Sequence, residues 1–382
     1  MLSREIAGEL KNIRTPFYLY DMSLLRRTLD TVKTNADKYG YFVHYALKAN
    51  FDLEVFKTVK EYGFGVDCVS GNEVKYAIEN GFAANSIVFA GVGKTDEEIT
   101  IGIENGIFAF NCESAEELEN INTIAEKMGK VVNVALRLNP DIDPQTHKHI
   151  STGNADSKFG ISYLEVEQLA DKIETLKNVN ITGLHFHVGS QILKMEVFEH
   201  LCARVNTLYD WFTNRGFKLT HINVGGGLGI DYDNPDENPI PDFESYFATF
   251  ANNLKLDENI TLHFELGRSI VGQCGEFIST VLYNKVNAAG KNVAIIDGSM
   301  TELIRPALYS AKHAIENLNP SDETKVYTLA GTVCESSDIF ARDLELPLLK
   351  RGDLVTLKSA GAYGAAMASA YNMHDLPESI YR

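Results

Sequence analysis

The sequence lacks the cysteine pairs, the excess of basic residues and the long apolar runs that are typical of disulfide-bonded, nucleic-acid-binding and membrane-spanning proteins. Its five cysteines are widely spaced and include no CxxC pair, so we expect neither a disulfide framework nor a cysteine-based zinc site. Basic residues are the minority, 35 against 52 acidic ones, and the net charge of −17 disfavours nucleic acid and anionic membranes. No apolar run reaches spanning length and the N-terminal residues lack a signal-type apolar segment, so we expect a cytoplasmic protein.

A regular alternation of short apolar runs and amphipathic stretches occupies residues 40–268. The runs are 41–47, 64–69, 86–91, 106–111, 131–138, 181–188, 221–227 and 260–266. Their length and β-branched content predict strands that are buried on both faces. Among the helical stretches, 114–129 has a capping-box pattern at Ser114 and Glu117, and Gly129 can end the helix. Eight such strands predict an α/β fold, a (β/α)₈ TIM-like barrel, with a doubly wound sheet as the competing architecture.

The last third of the chain follows a different pattern. Strand-like runs at 292–299, 325–336 and 353–361 follow one another with little helix between them. They predict a mostly antiparallel β domain, to which the early run at 15–21 can add a strand. We therefore expect residues 22–268 to form the barrel, and residues 1–21 together with 269–382 to form the β domain.

Polar and glycine residues gather at the ends of the predicted barrel strands, where barrel enzymes build their active sites. In chain order these positions include Lys48, Asp67, Arg137, His187, Gly225, Gly226, Gly227, Glu265 and Arg268. One polar residue at a strand end is usually a structural ion pair, but a group of them predicts an active site. The glycines and Arg268 follow the last two strands, where such barrels commonly bind phosphate through backbone amides and a cation.

A phosphate site, a lysine and a carboxylate in one pocket match the needs of pyridoxal phosphate. Its aldehyde forms a Schiff base with a lysine, and its ring nitrogen needs an acidic partner to stay protonated and accept electrons. Lys48 and Glu265 are the candidates for these two roles.

Two other classes of protein compete with this interpretation. His185 and His187 alternate along one strand and could bind zinc, as in metal-dependent barrel hydrolases. No third histidine with a bridging carboxylate is evident at neighbouring strand ends, so we expect no metal and interpret His185 as a satisfied core residue. A non-catalytic cofactor-binding barrel is the other alternative, and the β segment with Arg305 and Glu335 argues against it.

Six short motifs together resemble the motif series of the fold type III pyridoxal-phosphate decarboxylases. They are "YALKAN", "HFHVGSQ", "GGGLG", "ELGR", "CES" and "GAYG". Within that family, segments 137–161 and 334–343 are most similar to the diaminopimelate decarboxylases. The resemblance covers the chain from about Thr15 to Asn372. It implies decarboxylation of meso-2,6-diaminopimelate to L-lysine and CO₂, the last step of lysine biosynthesis, with carboxynorspermidine or another basic amino acid as the alternative substrate.

The resemblance also implies roles for individual residues. Lys48 would form the Schiff base, and Cys334 would protonate the carbanion left by decarboxylation. Contacts to the cofactor would come from Lys48, Asp67, His187, Ser190, Gly225, Gly226, Gly227, Glu265, Gly267, Arg268 and Tyr363. Contacts to the substrate would come from Arg268, Arg305, Tyr309, Glu335 and Tyr363. Cys334 and Glu335 would enter the site from the second subunit of a homodimer.

Charge adds an argument about the substrate. Arg305 and Glu335 are opposite in sign, so a substrate whose far end carries both a carboxylate and an ammonium satisfies both. meso-Diaminopimelate has such an end, whereas ornithine carries an ammonium only and leaves Arg305 unpaired. Because an unpaired buried charge is unfavourable by about 3–5 kcal/mol, we expect strong discrimination between the two.

Overall fold

The structure is a computed structural model, and it describes residues 2–142, 158–319 and 321–382. Part of the segment 137–161, which carries the resemblance described above, therefore lies outside the described residues. The first elements are the helices α1 (Leu2–Glu5) and α2 (Ala7–Leu10) and the strand β1 (Phe17–Tyr20). Across the described ranges, no helix is both long and apolar enough to cross a membrane.

A closed barrel of eight parallel strands follows β1. The strands are β2 (Phe42–Ala46), β3 (Gly65–Cys68), β4 (Ile87–Phe89), β5 (Ala109–Cys112), β6 (Val132–Arg137), β7 (Val179–His185), β8 (His221–Asn223) and β9 (Thr261–Leu266). The helices that precede or join them are α3 (Met22–Asp37), α4 (Leu53–Glu61), α5 (Gly71–Glu79), α6 (Asp96–Asn105), α7 (Ala115–Lys127), α8 (Val166–Ile173), α9 (Met195–Asn214) and α10 (Phe243–Asn253). The predicted barrel is confirmed, and the doubly wound sheet is wrong because β9 pairs with β2 and closes the sheet.

Helix α7 shows how local sequence sets an element. Ser114 caps its N-terminus by accepting a hydrogen bond from the Glu117 backbone amide at 3.1 Å. The reciprocal half of the predicted capping box is not made, because the Glu117 carboxylate instead accepts from the Glu113 amide at 2.7 Å. The helix ends at Lys127, and Gly129 takes the left-handed φ of 63° that glycine adopts without strain.

Glycines inside the barrel make room for histidine rings. A Cβ atom on Gly183 would lie 2.3 Å from Nε2 of His221, and one on Gly65 would lie 2.4 Å from Nδ1 of His44. Side chains alternate between the interior and the helices along each strand, so the interior fills in layers. The small and large residues of neighbouring strands therefore complement each other in the layer that contains these histidines.

The second domain is an eight-stranded sheet that includes β1. Its other elements are α11 (Arg268–Val271), β10 (Gly275–Val286), β11 (Asn292–Ile296), α12 (Arg305–Tyr309), β12 (Ile315–Asn317), β13 (Thr324–Ala330), β14 (Ile339–Pro347), β15 (Leu354–Leu357) and β16 (Glu378–Tyr381). Most neighbours are antiparallel, whereas β11 with β13 and β1 with β16 are parallel. Strand β1 pairs with β10, so the N-terminal strand completes this sheet as expected.

Candidate active site

A cavity of about 340 Å³ lies at the carboxyl ends of the barrel strands. Its wall includes the predicted site residues Lys48, His187, Ser190, Gly227, Glu265, Gly267, Arg268 and Tyr363. Tyr363 belongs to the segment after β15, whereas the others belong to the barrel or to the segment that leaves it. The fold therefore brings together residues that are more than 300 positions apart, such as Lys48 and Tyr363.

Lys48 follows β2 in a 3₁₀ turn that spans Leu47–Ala49. The strand itself stops at Ala46, one residue before the end of the predicted run 41–47, because the apolar sequence continues into the turn. The amine Nζ donates to Asp67 Oδ2 at 2.6 Å. The lysine side chain is 38% exposed while the Asp67 side chain is fully buried, so the amine is accessible from the cavity and its partner is not.

The protonation of this pair follows from its surroundings. Burial and the neighbouring Glu265 carboxylate raise the pKa of Asp67 to about 6, although Lys48 acts to lower it. Burial acts to lower the pKa of Lys48, but Asp67 and other neighbours outweigh it and raise the pKa, which favours the ammonium form. A carboxylate of raised pKa beside a lysine can accept the proton that an amine must lose before it attacks an aldehyde.

Glu265 lies on β9 with its carboxylate inside the barrel. Oε1 accepts from Nδ2 of Asn111 at 2.9 Å and from Nδ2 of Asn223 at 2.7 Å, and Oε2 lies 3.0 Å from Nε2 of His185. Burial acts to raise the pKa of Glu265, but His185 and Lys48 outweigh it, so the pKa is lowered and the carboxylate is ionised.

The sequence analysis did not select Asn111 or Asn223, and it interpreted His185 as a satisfied core residue. That interpretation is wrong: Nε2 of His185 contacts Glu265, and its buried Nδ1 has no hydrogen-bond partner in the part of the chain that the structure describes. The available signal was weak, namely an asparagine within or beside each of the apolar runs 106–111 and 221–227.

His187 contributes an uncharged ring to the cavity wall. Its Nδ1 accepts from the Gly226 amide at 3.2 Å. Burial, together with the cations Arg137 and Lys48, lowers the pKa of His187 to about 3, so the ring is neutral near pH 7. A neutral planar ring on the wall is suited to pack against a planar ligand.

The glycines at 225–227 are needed because the backbone is crowded there. A Cβ on Gly226 would lie 2.1 Å from the carbonyl oxygen of Glu265, and Gly225 and Gly227 have φ of 69° and 112°. The amides of Gly225 and Gly226 already donate to neighbouring side chains. The expectation that both amides are open to an anion is therefore wrong, and Gly227 is the member of the run that lines the cavity.

Two buried arginines flank Tyr232, a residue that the sequence analysis did not select. Arg268 donates to Ser190 Oγ from Nε and Nη2 at 3.2 and 3.1 Å, and to Tyr232 Oη from Nη1 at 2.6 Å. Cζ of Arg305 lies 5.0 Å from the centroid of the Tyr232 ring. Burial lowers the pKa of Arg305, and the charge of Arg268 lowers it further.

Neither arginine forms an ion pair with a carboxylate within residues 2–142, 158–319 and 321–382. Nη1 of Arg305 contacts Nε2 of His313 at 3.1 Å, and its buried Nε has no partner among the same residues. Buried cations are stabilised by an opposite charge, so this arrangement indicates that a ligand supplies the negative charge.

Seven of the predicted site residues are not part of the cavity wall, and four of them, Asp67, Gly225, Gly226 and Arg305, adjoin it as described above. The other three are Tyr309, Cys334 and Glu335. Tyr309 ends α12 and is half-buried. Cys334 and Glu335 are exposed in the segment after β13, where the Cys334 amide donates to Asn372 Oδ1 and Glu335 Oε1 accepts from Tyr371 Oη at 2.6 Å. Within one chain, the fold therefore does not bring Cys334 or Glu335 to the cavity that contains Lys48.

The residues of the wall fit pyridoxal phosphate. Lys48 offers an amine to an aldehyde, Glu265 an ionised carboxylate to a protonated ring nitrogen, and Arg268 with Ser190 a cation and a hydroxyl to a phosphate. The orphaned Oδ1 of Asp67 marks a buried polar group next to the amine that the described protein does not satisfy. No group of three or more histidine, cysteine, aspartate or glutamate side chains in the described ranges is arranged to hold a metal ion.

A family model, similar proteins and solved structures all match this chain to the same family. The family model of the pyridoxal-dependent decarboxylases, pyridoxal binding domain, matches residues 23–272. A diaminopimelate decarboxylase of Bacteroides thetaiotaomicron is 52% identical over 371 residues, which are 97% of this chain and 96% of that protein. One of Aquifex aeolicus is 38% identical and covers 94% of this chain and 84% of its own length.

Solved structures agree with the sequence relatives. Helicobacter pylori diaminopimelate decarboxylase complexed with L-lysine has a TM-score of 0.90 at 36% identity, and the match covers 98% of this chain and 94% of that one. The M. jannaschii enzyme in co-complex with L-lysine has a TM-score of 0.90 at 31% identity, over 100% and 89% of the two chains. This chain therefore belongs to the diaminopimelate decarboxylases, within the family of pyridoxal-dependent decarboxylases.

Proposed function

We propose that the chain decarboxylates meso-2,6-diaminopimelate to L-lysine and CO₂ with pyridoxal phosphate as its cofactor, the last step of lysine biosynthesis. The observation that carries this proposal is that the Lys48 amine and the buried Arg268 line one cavity, while a second buried arginine, Arg305, packs on the ring of Tyr232 next to Arg268. Neither arginine has a carboxylate partner in the described chain. The names of the relatives support it, as do the two solved neighbours that hold L-lysine, the product expected here.

The residues of the barrel would hold the cofactor. When bound, pyridoxal phosphate supplies the electron sink for the electron pair that CO₂ leaves behind. Lys48 Nζ would bind the aldehyde end, with Asp67 Oδ1 and Oδ2 taking and returning its proton. Glu265 would hold a proton at the ring nitrogen, and His187 would pack on the ring. Ser190, Gly227, Gly267, Arg268 and Tyr363 would surround the phosphate end. Gly225 and Gly226 would allow the close backbone approach beside it, since their own amides donate to Asn223 and His187.

The substrate would bind on the side of the β domain. Arg305 would pair with the distal carboxylate, with contributions from Arg268, Tyr309 and Tyr363. An ornithine-like substrate has no distal carboxylate and would leave the buried Arg305 charge unpaired, a penalty of about 3–5 kcal/mol. Residues 22–268 would act as the cofactor-binding domain, and residues 1–21 with 269–382 as the domain that contributes substrate contacts.

The active form would be a cytoplasmic homodimer. Cys334 and Glu335 would enter the partner's cavity, where Glu335 would meet the distal ammonium and Cys334 Sγ would donate a proton to the α-carbon. Their exposure, and their distance from the cavity wall of their own chain, support this arrangement. A mixture of the inactive variants Lys48→Ala and Cys334→Ala should then recover about a quarter of the wild-type activity, because random pairing restores one site in each mixed dimer.

The substrate proposal is tested by measuring CO₂ release from meso-diaminopimelate, carboxynorspermidine and ornithine in parallel, with the visible spectrum as the check that cofactor is bound. We expect release from meso-diaminopimelate at a kcat/KM at least about 100-fold above that for ornithine. Release from carboxynorspermidine alone would contradict the proposed substrate while leaving the cofactor assignment in place.

A further inference from the structure

Three side chains surround the carboxylate of Glu265, and we call them the donor triad: Asn111, His185 and Asn223. We propose that the donor triad positions Glu265 so that it has one hydrogen-bond site left, aimed at the cofactor's ring nitrogen, and that His185 sets this site. The inference rests on the proposed function, and it identifies the positioning residues that make the site select a protonated ring nitrogen.

The donor triad comes from three different strands. Asn111 lies on β5, and His185 and Asn223 are the last residues of β7 and β8. In the closed barrel β8 is the direct neighbour of β9, which carries Glu265, whereas β5 lies four strands away on the opposite side. The carboxylate is therefore held from both sides of the barrel interior, which restricts its rotation more than donors on one strand could.

The Glu265 carboxylate has one hydrogen-bond acceptor site left for a ligand. An ionised carboxylate has about four acceptor sites. Oε1 uses two of them for the amides of Asn111 and Asn223, and Oε2 uses one for Nε2 of His185. The remaining site is on Oε2, beside His185, and Glu265 lines the cavity. Because an ionised carboxylate cannot donate, this site fits a ligand N–H and does not fit a bare acceptor nitrogen.

Two members of the donor triad are placed at the expense of their own hydrogen bonding. Oδ1 of Asn111 and Nδ1 of His185 are buried and have no partner in the described ranges of the chain. Most buried polar atoms in folded proteins have a hydrogen-bond partner, so two unpaired ones around a single carboxylate require an explanation. Both side chains are therefore oriented toward Glu265 even though this leaves one of their own polar atoms without a hydrogen bond. Burial acts to raise the pKa of Glu265, and His185 is the strongest of the neighbours that lower it.

Cofactor binding to the full-length protein, stripped of cofactor by dialysis, separates positioning from a general structural role. The two probes are pyridoxal phosphate and its 1-deaza analogue, in which a C–H group replaces the ring nitrogen. We expect the wild type to bind pyridoxal phosphate more tightly than the analogue. In His185→Phe, affinity for pyridoxal phosphate should fall roughly tenfold while affinity for the analogue stays unchanged. His185→Gln should retain most of the preference, since its amide N–H can occupy the place of Nε2.

The matched control is His221→Phe, which alters another buried histidine of the barrel that does not contact Glu265, and it should leave the ratio of the two affinities unchanged. If His185→Phe does not fold, Asn111→Leu removes another donor and should reduce the same ratio. Equal weakening of both probes, or an unchanged ratio in both variants, would overturn the inference. Failure to decarboxylate meso-diaminopimelate with the ratio effect intact would instead overturn the proposed substrate, because the titration involves no substrate.

Discussion

The two ends of the barrel interior both contain polar side chains but differ in charge. At the carboxyl end Lys48, Asp67 and Glu265 are close enough to shift one another's pKa. At the amino end the ring of His44 stacks on that of His263 with centroids 5.1 Å apart, and His44 Nε2 lies 2.8 Å from His263 Nδ1. Burial is the main cause of lowered pKa values for both histidines, so they are neutral at pH 7.

The two ends of the barrel interior differ more clearly in whether their buried polar atoms are hydrogen-bonded than in the size of their cavities. The amino-end cavity, of about 730 Å³, is larger than the carboxyl-end cavity of about 340 Å³. Both ring nitrogens of His44 and of His263 have partners. At the carboxyl end Asp67, Asn111 and His185 each leave a buried atom without a partner in the described chain. Unsatisfied polar atoms beside charged groups therefore mark the candidate active site, whereas satisfied, neutral groups mark packing.

Replacing the lysine at the carboxyl end should have the largest effect. Lys48→Ala removes the amine that would bind the cofactor aldehyde, so activity should fall by about 10⁴-fold or more. The borohydride-trapped adduct, followed by mass spectrometry, should disappear as well. Lys33→Ala is the control, because Lys33 lines the amino-end cavity and should leave both readouts unchanged. A trapped adduct that persists in Lys48→Ala would move the cofactor to another lysine.

Arg305→Met should show that a buried charge at the carboxyl end serves binding at the expense of stability. We expect kcat/KM for meso-diaminopimelate to fall about 100-fold, since the distal carboxylate would lose the partner proposed for it. The free energy of unfolding should stay the same or rise by about 1 kcal/mol, because an unpaired buried cation beside Arg268 is removed.

The control for this variant is Arg351→Met. Arg351 is exposed, its Cζ lies 4.8 Å from the centroid of the Tyr283 ring, and it lies away from the cavity. It should leave the kinetics unchanged. A stable Arg305→Met enzyme with wild-type kcat/KM would remove Arg305 from the substrate site.

Histidines at the amino end should make stability depend on pH. Burial, followed by the neighbouring His44 and His185, lowers the pKa of His221 to about 3, whereas an unfolded chain titrates near 6.5. Between these values the unfolded state binds one more proton, so stability falls as the pH drops from 6.5 toward 3. His221→Gln should reduce this dependence by up to about 1.4 kcal/mol per pH unit, measured by urea unfolding between pH 4.5 and 7.5. Parallel curves for wild type and variant would contradict a neutral buried His221.

The barrel could be predicted because each strand leaves its own local signal. A run of apolar, β-branched residues bounded by turns marks a strand buried on both faces, and all eight predicted runs overlap observed strands. The predicted strand boundaries were less accurate where the apolar sequence continues beyond the last hydrogen-bonded residue of the strand, as it does from Ala46 into the turn with Lys48. The positions of Lys48 and Glu265 at one cavity followed from strand order alone.

The contacts of Glu265 could not be predicted in the same way. Asn111, His185 and Asn223 are 154, 80 and 42 positions away from it. Asn223 comes from the neighbouring strand β8, whereas Asn111 comes from β5 on the opposite side and reaches Glu265 because the sheet closes into a barrel. The same holds for Tyr232 between the two arginines, since its place depends on how the loop after β8 packs against the β domain. Sequence patterns predict which residues end strands, but not which side chains they meet across the interior.

The smallest expected effect comes from a lysine–aspartate pair at the amino end. Lys33 Nζ lies 2.6 Å from Asp37 Oδ1, the same distance that separates Lys48 Nζ from Asp67 Oδ2. The side chains of Lys33 and Asp37 are 44% and 56% exposed, whereas Asp67 is fully buried. Water and salt screen the exposed pair, so Lys33→Met should change the free energy of unfolding by at most about 0.5 kcal/mol, and by less in 1 M salt.

Asp67→Asn tests the corresponding pair at the carboxyl end, Lys48 with Asp67, in which the aspartate is fully buried. It should lower the affinity for cofactor and the rate at which Lys48 reacts with it, measured by stopped-flow absorbance, because the amine loses its proton acceptor. Added salt should change this loss less than it changes the effect at Lys33, since the Asp67 carboxylate is fully buried and salt screens it less than an exposed one. Equal and salt-sensitive effects at both ends would mean that distance, and not burial, decides what a lysine–aspartate pair contributes in this barrel.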